Sequence, residues 1–261
     1  MLHENRTVLA RHGICYPMAG QEGVHAHFAI YHDLLRRDST ASLQRALGEC
    51  RPHAAGLLSC EAFWLLPEEQ IARLAAALHG IETEAILYLR APAAYLPSSY
   101  RQAIRHNGIH QGFADYIPIA RQRLDYPRLL SAWARHFPLQ VRVYEKEKTA
   151  LCLNFCTLAG LPAAELVFPA DAVNRTPSDG ALRLMRCANA ILPARLSRRV
   201  RRALLTTDRL FAFLPALDDS AAAAAAREIV GAWNPAVLRN FLPEAEIDLL
   251  RATGAKEMPH V

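Results

Sequence analysis

Glu84-Ala-Ile-Leu-Tyr-Leu-Arg90-Ala-Pro92-Ala-Ala-Tyr95-Leu-Pro97-Ser98-Ser99-Tyr100-Arg101-Gln102 reads as a buried strand, a sharp turn and a helix start. Ala85 to Leu89 is a short apolar run rich in strand formers, as a parallel strand covered on both faces would be. Pro92 cannot continue a ladder and suits a first helical turn, so the chain is expected to turn after Arg90 and become helical near Ala93. Pro97 is expected to make that beginning irregular and to leave Ser98 and Ser99 at the start of a new turn. A guanidinium at a strand end, facing hydroxyls and amides there, can hold a phosphate or sulfate through charge-assisted hydrogen bonds. The same spacing also suits an Arg90 that caps a neighbouring helix beside serines that cap their own.

Outward from this stretch, the 261 residues are enough for a sizeable core, and 52% of them are apolar. Further buried strands are expected at residues 55–59 and 139–144. Helices are expected after Thr40, after Pro67, from Pro127 to Phe137 and from Thr149 to Ala159. Strands alternating with helices predict one α/β domain, a parallel sheet flanked by helices over about residues 1–190, with a helical extension over 191–261. The net charge is +5, and all but three of the 30 basic residues are arginine, lysine occurring only at 146, 148 and 256. Arginine favours planar, bidentate recognition of phosphate, sulfate or carboxylate, and its excess equally follows from genome composition. Its densest run, Arg195-Leu-Ser-Arg-Arg-Val-Arg-Arg202, reads as the solvated face of an amphipathic helix and carries no recognition motif for specific nucleic acid. There is no secretory signal and no transmembrane segment, so a cytoplasmic protein with six cysteines as thiols is expected.

Arg90, Pro92 and Ser98 also carry a family resemblance. An arginine, a proline two positions on and a serine eight positions on resemble the 3′-phosphate motif of sulfotransferases that use 3′-phosphoadenosine 5′-phosphosulfate, PAPS. The resemblance to the bacterial, glycan-type branch extends over roughly residues 1–190. It runs through Leu57-Leu-Ser59-Cys-Glu61-Ala-Phe63, Ser98-x-Tyr100-x-Gln102, Trp133 ahead of Leu139 to Glu145, and Asn154-Phe155 before Leu158-Ala-Gly160-Leu. It implies a P-loop-type fold, PAPS as co-substrate, no metal, and a glycan or other hydroxyl as acceptor. In that family a strand and a lysine-bearing glycine loop precede the first helix and hold the 5′-phosphosulfate. Here the helix expected over residues 2–12 comes first, Gly13, Gly20 and Gly23 form no such loop, and no lysine precedes Lys146. The chain is therefore expected to resemble an N-terminally truncated sulfotransferase, with open strand edges that permit self-association.

The resemblance implies cofactor contacts from Arg90 and Ser98, and from Asn174 and Arg175 in a late loop that closes over the nucleotide. It also implies a base just after the first helix, and imidazole suits that task. His25 matches the position best and His27 next, while surface histidines or a metal pair remain the other readings of this segment. Glu61, at a strand end, is either an acid/base or acceptor-orienting group, or the partner of an arginine. Residues 108–126, with His106 just before them, mix His110, Gln111, Tyr116 and Arg121, as a sugar-binding lid or a packed loop would.

Overall fold

The strand at the centre of the motif forms where the apolar run predicts it, over Ala85–Leu89, and it ends one residue before Arg90. A computed structural model describes residues 1–23, 26–168, 177–211 and 213–252. In chain order the elements are α1 (Arg6–Arg11), β1 (Ile14–Cys15), α2 (Phe28–Arg36), α3 (Ala41–Cys50), β2 (Ala55–Gly56), α4 (Glu68–Ala77), β3 (Ala85–Leu89), α5 (Pro92–Gln102), α6 (Phe113–Arg121), α7 (Tyr126–Ala134), β4 (Leu139–Val143), α8 (Tyr144–Glu147), α9 (Leu151–Leu158), α10 (Asp179–Ile191), α11 (Ala194–Thr206), α12 (Ala222–Gly231), α13 (Pro235–Arg239) and α14 (Glu244–Arg251). The protein is an α/β chain, mostly helical, with few and short strands.

It divides into two compact units, Met1–Tyr88 with Pro127–Asp171 and Asn240–Leu242, and Leu89–Tyr126 with Ala172–Arg239 and Pro243–Val261.

In the first unit β1 pairs in parallel with β2, Ile14 against Ala55 and Cys15 against Gly56, while β3 pairs with β4. The expected single sheet is thus two two-stranded ladders among the described residues. The strand expected over 55–59 shrinks to two exposed ladder residues for a local reason. Leu57 N–H still donates to Cys15 O (2.8 Å), but the N–H and C=O of Ser59 are both taken by His27. The two ladders border different apolar clusters. Leu58, Ala85, Leu87 and Leu139 pack against a cluster built from Ile30, Leu34, Leu43, Leu66, Ile71, Leu74 and Trp133. On the other side Leu57 and Ile14 pack against Leu9, Tyr16, Cys156 and Leu161. Four of the five residues of β3 are only half-buried, so this strand lacks the double cover expected of it.

The helices follow their punctuation. α3 starts after Thr40 as expected, although its cap comes from Asp33, whose Oδ2 accepts from Ser42 N–H at 3.0 Å. Hydrogen bonding from the Ser42 side chain first, then from its backbone N–H and from Arg37, holds the Asp33 carboxyl below the usual carboxylate range against the opposing effect of burial. α1 ends at Gly13, where φ of +72° suits a residue without Cβ. It begins only at Arg6, because Asn5 is turned inward to donate to Met1 O and Val167 O and to accept from Val167 N–H.

In the second unit α5 runs from Pro92 straight through Pro97 to Gln102. This corrects the expected irregular entry: Pro97 lies five residues into a continuous helix, and Ser98 and Ser99 follow it in mid-helix. The segment 108–126 is likewise not an open lid. It contains α6, whose Phe113 and Tyr116 pack on buried Tyr100 with ring centroids 5.2 and 5.4 Å away. α12 lies along α5, and α11 along α10. Arg101 joins Asp179 (3.1 Å) and Asp219 (2.9 Å) within this unit.

Candidate anion site

β3 delivers Arg90 at its C-terminal end, and α5 then brings Ser98 back to it. Arg90 Nη1 donates to Ser98 Oγ at 3.2 Å. The backbone at Arg90 is held by Tyr126, whose hydroxyl donates to Arg90 O (2.6 Å) and accepts from Arg90 N–H (3.3 Å). Tyr126 is itself buried, with its ring 5.1 Å from that of Trp233, and Trp233 Nε1 donates to Leu124 O at 2.8 Å. A strand end clamped in this way fixes where the guanidinium starts, which matters because a free arginine side chain loses about 2 kcal/mol of rotamer entropy when held.

Ser98 sits mid-helix, not at a helix start, so its hydroxyl and not its amide faces Arg90. Ser99, its neighbour in the motif, turns away: it is buried and donates to Leu96 O at 3.1 Å. Tyr95 is three residues before Ser98 and therefore on the same face of α5. Burial pushes the Tyr95 phenol up, while a hydrogen bond from Arg123 and the nearby charge of Arg90 pull it back. Arg123, half-buried in the short 3-10 turn Gln122–Leu124, carries no sequence signal linking it to Arg90.

The other predicted residues lie elsewhere or outside the described residues. His25, Asn174 and Arg175 are among the latter. His27 and Glu61 belong to the first unit. His27 has no exposed surface; Ser59 N–H donates to its Nδ1 at 3.0 Å and its Nε2 donates to Pro17 O at 3.1 Å. Burial lowers its pKa, so the neutral ring is the favoured form. With both nitrogens engaged, His27 links three backbone segments and has no lone pair directed to solvent. The signal for this was present, since His27, Ile30 and Leu34 fall on one buried stripe of α2. Tyr16 packs edge-on against the ring at 5.0 Å, and burial raises its phenol to about 12. Glu61 is exposed, and among the described residues no cation stands within ion-pair distance of it.

In the basic helix α11, Arg195, Arg198, Arg199 and Arg202 are exposed as expected, but Arg201 is buried to 8% exposure. Its Nη1 donates to Asn189 Oδ1 and Ser197 Oγ, and Asn189 in turn donates to Ile104 O and Ile109 O. That network is a structural tie of α10 and α11 to the loop at Gly108. A surface depression of about 190 Å³ lined by Leu78, His79, Ile81, Thr83, His136 and Phe137 includes none of the predicted site residues. No helix among the described residues is long and apolar enough to cross a membrane. No family model, curated protein or solved structure matches the chain.

Chemically, the Arg90 and Ser98 pair can donate several hydrogen bonds to one tetrahedral oxyanion from a fixed strand end and a rigid helix. Nothing in the pair can act as a base.

Proposed function

We propose that the chain is a sulfotransferase-like protein of the P-loop class, and that Arg90 and Ser98 hold the 3′-phosphate of PAPS or of its product, adenosine 3′,5′-bisphosphate. The single observation that carries this reading is the 3.2 Å hydrogen bond between the two motif residues at the end of β3. In the reaction, a base takes the proton of a glycan or other hydroxyl acceptor. The acceptor oxygen attacks sulfur in line as the sulfur–oxygen bond to the 5′-phosphate breaks, and adenosine 3′,5′-bisphosphate leaves. His25 and Glu61 are the candidates for the proton-handling role, since His27 spends both ring nitrogens on the backbone. Asn174 and Arg175 would complete the nucleotide contacts. The six free cysteines suit the cytoplasm, where thiols stay reduced.

Among the described residues no ladder hydrogen bond joins β2 and β3. An inner strand followed by a phosphate loop would supply the positive groups needed beside the leaving phosphate. Without them the chain binds and does not turn over. The second reading, a binding or assembly protein that has lost catalysis, rests on the same observation.

The experiment is sulfate transfer from labelled PAPS to a mixed glycan acceptor pool, with the chain as given and with a preceding strand and lysine-bearing glycine loop supplied. Activity only in the extended form supports the enzyme reading. Nucleotide binding without activity in either form favours the binding protein. Full activity in the short form would refute the account of the donor site.

A further inference from the structure

Between Asp179 and Asp208 the chain carries seven arginines and no acidic residue. Three of them serve the fold: Arg183 donates to Ala216 O, Arg186 to the Tyr100 hydroxyl, and Arg201 to Asn189 and Ser197. The other four, Arg195, Arg198, Arg199 and Arg202, are exposed on α11, and among the described residues none of them has a hydrogen-bond or ion-pair partner. Arg195, Arg199 and Arg202 follow the i, i+4, i+7 spacing of one helical face and Arg198 flanks it, so each of the four has another three or four positions away. Like charges at that spacing destabilise a helix, and Arg195, in a first turn without an acidic residue, opposes the helix dipole as well. Burial and then the charge of Arg198 lower the pKa of the Arg201 guanidinium, so the positive field reaches the buried side of α11 too. Apolar side chains stand at both ends of this helix. Phe213 (81% exposed), after it, and Ile191 (79%), before it, are the two most exposed large apolar residues among those described. Leu210, also after it, is 66% exposed, and Leu196 lies one helical turn before Arg199 with its side chain in solvent.

We propose that the arginine face of α11, with the apolar side chains at its two ends, docks this protein on an anionic lipid bilayer. The inference is independent of the Arg90 and Ser98 site. Four guanidinium forks match the phosphate and carboxylate oxygens of acidic head groups, through paired charge-assisted hydrogen bonds. Such a face is drawn to an anionic surface from within about a Debye length, roughly 8 Å at physiological salt. Ile191, Leu196, Leu210 and Phe213 then have an acyl boundary to enter, and burial of their apolar area adds to the electrostatic attraction. The same four side chains separate lipid from nucleic acid as the partner. A phosphate backbone would satisfy the arginines and leave the apolar groups in water, and α11 has no aromatic residue among its arginines on which a base could stack. The contact is peripheral, since α11 has 13 residues and its outward face is charged.

The test is co-sedimentation of the full chain with vesicles of phosphatidylcholine alone and of phosphatidylcholine mixed with phosphatidylserine, over a series of salt concentrations. The wild type is expected to bind the phosphatidylserine vesicles and not the neutral ones, more weakly as salt rises. Arg195→Gln, Arg199→Gln and Arg202→Gln should each weaken that binding about five-fold, and the variant with all four arginines changed to glutamine should lose it. Because like charges are removed from one helix, that variant should melt at or above the wild-type temperature, so that lost binding is not lost folding. Ile191→Ser combined with Phe213→Ser should reduce the part of the binding that survives high salt. Vesicle binding kept in full by the four-glutamine variant overturns the proposal, as does a failure of the wild type to bind phosphatidylserine vesicles at low salt. An equal loss on Arg11→Gln, at an exposed arginine in α1, would mean that net charge alone is read, and also overturns it. A duplex RNA or DNA of random sequence that binds more tightly than the vesicles at physiological salt, and is released by the four-glutamine variant, would overturn the lipid assignment and give the face to nucleic acid.

Discussion

Replacing His27 with alanine separates a structural imidazole from a catalytic one. The ring is wholly buried and connects Ser59 N–H (3.0 Å) to Pro17 O (3.1 Å). Its removal leaves Ser59 N–H without its acceptor, at a cost of about 1–3 kcal/mol for a buried donor. Pro17 O loses less, because Gln21 Nε2 still donates to it at 2.6 Å. The vacated ring volume next to Tyr16 and Gly20 adds a cavity cost of about 1–2 kcal/mol. The expected destabilisation is therefore about 2–5 kcal/mol, a large part of a typical stability of about 5–15 kcal/mol. Denaturant unfolding followed by tryptophan fluorescence and far-ultraviolet circular dichroism measures it. A pH series supplies the sign. The folded pKa of His27 is lowered, so below its ordinary value near 6.5 the unfolded chain binds more protons than the folded one. The stabilising effect is full above that value and is lost as the pH falls through it, by up to about 1.4 kcal/mol per pH unit. His27→Gln should flatten this dependence. A His27→Ala protein as stable as the wild type, within about 0.5 kcal/mol, with the same pH profile would refute the buried bridge.

Other expectations concern the frame of the site. Tyr126→Phe removes both hydrogen bonds to the Arg90 backbone and should cost about 1 kcal/mol or more in thermal stability while weakening anion binding several-fold; unchanged binding would mean that this clamp is irrelevant to the site. Gly108→Ala forces a side chain into φ of +72° with a Cβ 2.9 Å from Arg201 Nη1, so its melting temperature should fall by an amount equivalent to about 1–2 kcal/mol, and a neutral result would contradict the local packing. The open strand edges predict concentration-dependent self-association by light scattering, reduced when a charged residue replaces half-buried Ile86 in β3; a strict monomer at high concentration would count against those edges.

Local chemistry made much of the chain legible. α3 and α4 begin after Thr40 and Pro67 as expected, although Asp33 and not Thr40 caps α3, and β3 ends where Arg90 interrupts its apolar run. The meeting of Arg90 with Ser98 also followed from strand-turn-helix geometry over eight residues. What failed depended on partners distant in sequence. Residues 55–59 had a strand's composition, but His27 captured the ladder groups of Ser59. Residues 108–126 suited a lid or a packed loop equally by composition, and it is Phe113 and Tyr116, docking α6 on Tyr100, that decide for packing. Pro97 was expected to make the helix start irregular, yet α5 runs through it. Arg123 approaches Tyr95 through tertiary packing alone, and no spacing announced it.

The most direct test of the central claim is isothermal titration of adenosine 3′,5′-bisphosphate into the wild-type chain and into Arg90→Ala, with thermal unfolding recorded on the same samples. The account predicts saturable binding by the wild type and its loss in the folded Arg90→Ala variant. Equal binding by both proteins would contradict it.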